Sequence, residues 1–149
     1  DGAVTVIDYR CCAGPKDAPF VEMHGGFSAA YVRRGSFGYR SRGAAYELIA
    51  GGVFVGHAGD EYLCTHEHHP RGDECLAFVL APELVESLGP RAAWRVGALP
   101  PVADMMVLGE LAQAVAEGRS EVGLEEVGLA FAGKLVERAR GAVRGAAGA

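Results

Sequence analysis

GGFSAAYVRRGSFGYRSRGAAYELIAGGVFVGHAGDEY, residues 25–62, decides the fold. Aromatic, β-branched and small side chains come here in runs of four to six, at 27–32, 36–39, 45–49 and 53–57. The runs are bounded by glycine-bearing pairs: Gly25-Gly26, Arg34-Gly35, Arg42-Gly43, Gly51-Gly52 and Gly59-Asp60. Glycine reaches backbone conformations closed to other residues, so such pairs punctuate strands with turns. Working outward, the pattern continues at 61–65 and 75–80 on one side and at 4–9 on the other, with a further turn signal at Arg71-Gly72-Asp73. About seven short strands at this spacing predict a mainly β chain, closed into a barrel or a sandwich. A parallel sheet with intervening helices does not fit.

Beyond Pro82 the pattern changes. Pro82-Glu83 predicts a short helical turn to Leu88, and 94–99 reads as one more strand before Pro100-Pro101. From Val102 to Glu117, Met105, Leu108, Leu111, Ala112 and Val115 recur at three- and four-residue spacing, which predicts a helix stopped by Gly118. Ser120 is the expected cap of a second helix, whose apolar side is Leu124, Val127, Leu129, Phe131, Leu135 and Val136. Two such helices either cover the barrel or pair with a second copy of the chain.

The chain has 149 residues, half of them hydrophobic and 22% charged, which suits one folded core and argues against disorder. A net charge of −5 repels phosphate, so direct contact with nucleic acid is not expected. The arginine groups Arg33, Arg34, Arg40, Arg42 and Arg138, Arg140, Arg144 read as solvated faces. No apolar run approaches the ~20 residues of a membrane span, and no leader-like segment opens the chain. A cytoplasmic protein is expected. The start at Asp1 and the Gly/Ala-rich close at 141–149 are expected of a piece of something longer, ending in a linker.

The segment CTHEHHPRGDEC, residues 64–75, carries the most chemistry. On a strand the period of two sends Cys64, His66 and His68 to one face. If Pro70–Asp73 is the turn of a hairpin, Cys75 opens the return strand opposite them. Cys11 and Cys12 end the first strand, and one of them reaches the same place if that strand runs alongside. Zinc favours four thiolate and imidazole ligands in tetrahedral array. The expected set is therefore Cys11, Cys64, Cys75 and one of His66 or His68, with zinc as cofactor. Buried free thiols beside surface histidines, or a disulfide between two of the cysteines, are the alternatives.

Taken in order, Tyr9-Arg10-Cys11, PFVEMH at 19–24, GSFGYR at 35–40, and CTHEH at 64–68 with GDEC at 72–75 resemble AraC-type regulators, in particular their N-terminal cupin-like domain. The resemblance spans roughly 4–88, and the later helices resemble the connecting segment. It implies a cupin-like jelly-roll barrel over 1–99 and a helical dimerisation and linker segment over 100–149. It also implies DNA binding only through a C-terminal pair of helix-turn-helix motifs, absent from this chain. The implied function is sensing of a small molecule or metal by a homodimer.

Against the metal-binding cupin pattern, Glu22 and His24 fall where two histidines stand, Ser28 replaces the glutamate, His57 takes the proline position and Tyr62 the remaining histidine position. Turnover in that fold needs three or four ligands and an open coordination site, so no catalytic residue is assigned. Glu22, His24 and Tyr62 are instead the expected effector-binding group, the plainer alternative being hydrogen-bonded barrel residues. His57 and His69 are assigned to structure or surface. A small cupin metalloenzyme and a purely structural zinc-bound dimerisation domain are the competing functions.

Overall fold

The computed structural model describes residues 3–66 and 72–148, with side chains described as far as Gly141. Eight strands, β1 (Val4–Cys11), β2 (Val21–Met23), β3 (Phe27–Ser41), β4 (Ala44–Ile49), β5 (Val53–Gly56), β6 (Glu61–Thr65), β7 (Asp73–Leu80) and β8 (Ala98–Leu99), pair throughout in antiparallel fashion. Three helices accompany them: α1 (Pro82–Leu88), α2 (Ala103–Ala116) and α3 (Leu124–Gly148). The chain is thus the mainly β, cupin-like barrel followed by helices that the sequence predicts.

The stretch read as two strands around an Arg34-Gly35 turn is one strand of 15 residues, β3. Its first half pairs with β7 and β5, and its second half with β4 and β6. The register shifts between Val32 and Arg34, so a bulge replaces the expected turn and carries β3 from one sheet into the other. Gly35 permits this: its φ is +76°, and a Cβ there would lie 2.0 Å from the Gly72 carbonyl oxygen. One sheet therefore runs β1-β7-β3-β5-β8, and the other is built from β2, β6, β3 and β4.

Two further expectations are corrected. The β6–β7 hairpin does not form: β6 pairs with β2 and the second half of β3, while β7 pairs with β1 and the first half. Residues 94–99 are not one strand either, because Arg91–Arg95 winds into a 3₁₀ turn that buries Trp94, leaving only Ala98–Leu99 to pair with β5.

The period of two on β7 and β3 divides the core into two. Leu76, Phe78 and Leu80 with Phe27, Ala29 and Tyr31 face outward from the first sheet and meet Met105, Ala112, Val127, Phe131 and Leu135 of the helices. Cys75 and Ala77 with Ala30, Val32, Phe37, Tyr39 and Leu48 face the barrel interior. The helices therefore cover the outer face of the first sheet, which is why its strands are apolar on both sides.

Gly118, with φ +76°, ends α2 as expected: its N–H donates to Val115 and that of Arg119 to Ala114, a Schellman closure. Ser120 does not cap α3, which starts four residues later; its hydroxyl accepts instead from the Val122 N–H at 3.3 Å. Leu129 lies on the outer side of α3 and is exposed. Arg138 reaches Asp104 on α2 at 2.7 Å and ties the two helices together.

Candidate effector cavity and metal-ligand cluster

A cavity of about 820 Å³ occupies the barrel between the two sheets. Phe37, Phe54, Ala30, Ala77 and Val79 give it apolar walls, and the exposed Phe20 and Met23 stand among its lining residues. A volume of this order holds a drug-sized molecule.

Glu22, His24 and Tyr62, the predicted effector group, all line it. Glu22 and Tyr62 are cross-strand partners on β2 and β6. The His24 ring stacks on Tyr62 with centroids 4.0 Å apart and planes 17° from parallel. Its Nε2 lies 2.8 Å from the Tyr39 hydroxyl, which donates its own hydrogen to the Val55 carbonyl at 3.1 Å. Nε2–H is therefore the donor to Tyr39, and Nδ1 carries the free lone pair of the neutral ring. Burial holds the imidazole down at about 4, with Asp60 opposing the shift. Burial likewise raises the phenols of Tyr62 and, to about 12, Tyr39. At neutral pH this wall thus presents a neutral imidazole and two neutral phenols beside the Glu22 carboxyl.

The same cavity is also lined by thiols. Tyr62, Cys64 and His66 alternate along β6 and its end, and all three line the cavity, as the period of two predicts. Cys11, the last residue of β1, pairs with Asp73, the first of β7. Ligand atoms of Cys11, His66 and Asp73 lie within 4.8 Å of one another, the one cluster of this kind among the described residues. His66 Nδ1 stands 3.9 Å from the Asp73 carboxylate, is buried, and has no hydrogen-bond partner among the described residues. Cys64 and Cys75 are not within that tight group but line the same cavity. Burial raises all three thiols, Cys64 to about 12. All four cysteines are free, and Cys12 is exposed. His68 and His69 lie outside the described residues.

Three participants went unnoticed in the sequence. Asp73 was read only as a turn residue, although its parity with Cys75 on β7 places it on the cavity side. Tyr39, the partner of His24, had no sequence signal beyond its odd position on β3. Arg33, grouped with solvated arginines, is in fact buried: it donates to Gln113 Oε1 of α2 at 2.9 Å and the Cys75 carbonyl at 3.2 Å, and also bonds Asp8.

The architecture is shared with known proteins. ToxT from Vibrio cholerae O395 superposes over 91% of this chain and 55% of its own with a TM-score of 0.59 and 11% identity. The AraC-like transcriptional activator CuxR does so over 91% and 51%, at 0.63 and 13%. This is the fold of AraC-like regulators. ToxT bound to (E)-4-(8-methylnaphthalen-1-yl)but-3-enoic acid also superposes, over 89% and 55%, at 0.56 and 12%. The chain spans about half the length of these AraC-like proteins. No protein-family model matches the chain, and no curated protein matches its sequence. Among the described residues, no helix is long and apolar enough to cross a membrane.

Proposed function

We propose that this chain is the effector-sensing domain of an AraC-type transcription regulator, binding a small molecule inside the barrel. The observation that carries the reading is the 820 Å³ cavity with apolar walls and a polar group of Glu22, His24 and Tyr62, in a fold shared with AraC-like regulators. ToxT holds an aromatic carboxylic acid, and an apolar cavity with a few convergent polar groups suits an effector of that general kind. A bound metal ion such as zinc, held where Cys11 and His66 approach each other in the cavity, belongs to this reading. So do self-association as a homodimer, a cytoplasmic setting, and contact with DNA only through a further domain joined after residues 100–149.

Binding rather than turnover is favoured because His24 is committed to Tyr39 and stacked on Tyr62, so the positions that hold metal in cupin enzymes are not gathered for that task. The first sheet supplies a path outward. Cys75, Ala77 and Ala30 touch the cavity, and their neighbours Leu76, Phe78 and Tyr31 touch the helices, so one layer of backbone separates effector from α2 and α3. Tyr31 donates to Glu110 at 2.8 Å, and Arg33 joins the Cys75 carbonyl to Gln113, which couples cavity wall to α2 by two directed contacts. An effector shifts this arrangement to the extent that it binds one state better than another.

The test is thermal denaturation of the chain against a panel of aromatic and aliphatic carboxylic acids, with Ala77→Phe as the cavity-filled control. A ligand at a hundred times its Kd adds about 2.7 kcal/mol, a rise of roughly 5–10 °C in Tm for a domain of this size. A rise confined to the wild-type chain supports the reading. Equal rises in both proteins, or none across the panel, would count against it.

A further inference from the structure

We infer that Cys11, His66 and Asp73 form a three-ligand site for a transition-metal ion such as Zn²⁺, with the fourth coordination position open to the barrel cavity, where it anchors a donor atom of the effector. The inference rests on the reading of the cavity as the effector site and deepens it.

Three observations carry it. Each ligand sits where the backbone fixes it: Cys11 and Asp73 are register partners at the ends of β1 and β7, and His66 directly follows β6. Their ligand atoms come within 4.8 Å of one another. Ligands 2.0–2.3 Å from a tetrahedral ion stand roughly 3.3–3.8 Å apart, so side-chain rotations of about 1 Å close the site. The imidazole Nδ1 of His66 is buried without a hydrogen-bond partner among the described residues, an arrangement costly for a polar atom and relieved by coordination or by a proton shared with Asp73.

All three side chains also line the 820 Å³ cavity, so an ion among them faces that space rather than a closed interior. A thiolate, an imidazole and a carboxylate give a mixed set of the kind that leaves zinc a free position, whereas purely structural sites are closed by four protein ligands. Binding releases the Cys11 proton, since the thiolate is the ligand. The ligand class that follows is a small molecule with a carboxylate, thiol or imidazole at one end and an apolar body to lie against Phe37 and Phe54.

The test uses the reduced chain loaded with Co²⁺, without any effector. One equivalent is expected to bind, with a single thiolate charge-transfer absorption, a visible spectrum that changes on addition of azide, and affinity lowered more than about tenfold by Cys11→Ser and by Asp73→Asn. Retained thiolate absorption in Asp73→Asn also identifies which ligand was lost if Cys11→Ser fails to fold. Binding that is indifferent to Asp73→Asn, is abolished by Cys64→Ser or Cys75→Ser and ignores azide would overturn the open site while leaving a zinc site in place. Less than about one-tenth equivalent bound would remove zinc altogether, and leaves the cavity reading to its own thermal test.

Discussion

Gly56 is expected to be among the least substitutable positions in the barrel. It ends β5, is buried, and its Cα faces the His24 ring: a Cβ built there would lie 2.4 Å from Nδ1, 2.6 Å from Cε1 and 2.7 Å from Cγ. The ring cannot yield, because Tyr62 stacks on one side and Nε2 is held by Tyr39. Gly56→Ala therefore overpacks a filled site, at about 1–3 kcal/mol, and displaces His24 from a buried hydrogen bond, at about 1–3 kcal/mol more. The sum of about 2–6 kcal/mol corresponds to a fall of roughly 5–20 °C in Tm. Urea and thermal denaturation of Gly56→Ala should be read beside Gly25→Ala, where an added Cβ meets nothing within 4 Å. The latter should stay within about 0.5 kcal/mol of the parent or gain slightly through lost chain entropy. His24→Ala removes the obstacle, so Gly56→Ala should cost little in that background, a non-additivity specific to this contact. A Gly56→Ala chain as stable as the parent, or a double variant in which the two losses simply add, would refute the reasoning.

His24 also sets an acid limit. Its folded value of about 4 lies below the ordinary 6.5, so the unfolded chain binds the extra proton, and stability present above about pH 6.5 is lost as the pH falls towards 4. The loss is about 3 kcal/mol, and His24→Phe should flatten denaturation midpoints across that window. Asp8, held down by Arg33, and Asp104, held down by Arg138, act only below the ordinary carboxylate range and are separable from it. Gly109→Ala should destabilise despite alanine's ~1 kcal/mol better helix propensity, because the new Cβ would stand 2.4 Å from the Tyr31 ring; urea denaturation with a gain in stability would contradict this. Arg33→Met should cost about 2 kcal/mol and speed amide exchange in α2 more than in β4, since Gln113 and the Cys75 carbonyl lose their shared donor; equal exchange in both would argue against coupling through Arg33.

The strands were legible because glycine pairs and short apolar runs are local signals, and all seven predicted runs fall on β1, β3 (two of them), β4, β5, β6 and β7 with only their ends displaced. The break at Arg34-Gly35 was misread because a left-handed glycine serves a bulge as readily as a turn, and only the distant partners Gly72 and β7 decide between them. Trp94 illustrates the limit in another way: its burial under the helices, a tertiary demand, overrode the extended reading of 94–99. At the site, parity did most of the work. It put Cys64 and His66 on one side of β6, where both line the cavity, and the same parity on β7 would have added Asp73. What parity does not supply is which strand ends meet, and that is why Asp73, rather than Cys64 or Cys75, stands within ligand distance of Cys11 and His66.

The most direct measurement is a methyl-resolved NMR titration of the ¹³C-labelled chain with an acid that raises its Tm. Occupancy of the barrel should move the methyls of Ala30, Ala77 and Val79 first and furthest, with smaller shifts reaching Leu135 and Val127 across the sheet. Shifts centred on Leu129, Met106 or the helix core, with Ala30 and Ala77 unmoved, would place the ligand outside the barrel and contradict the sensing cavity.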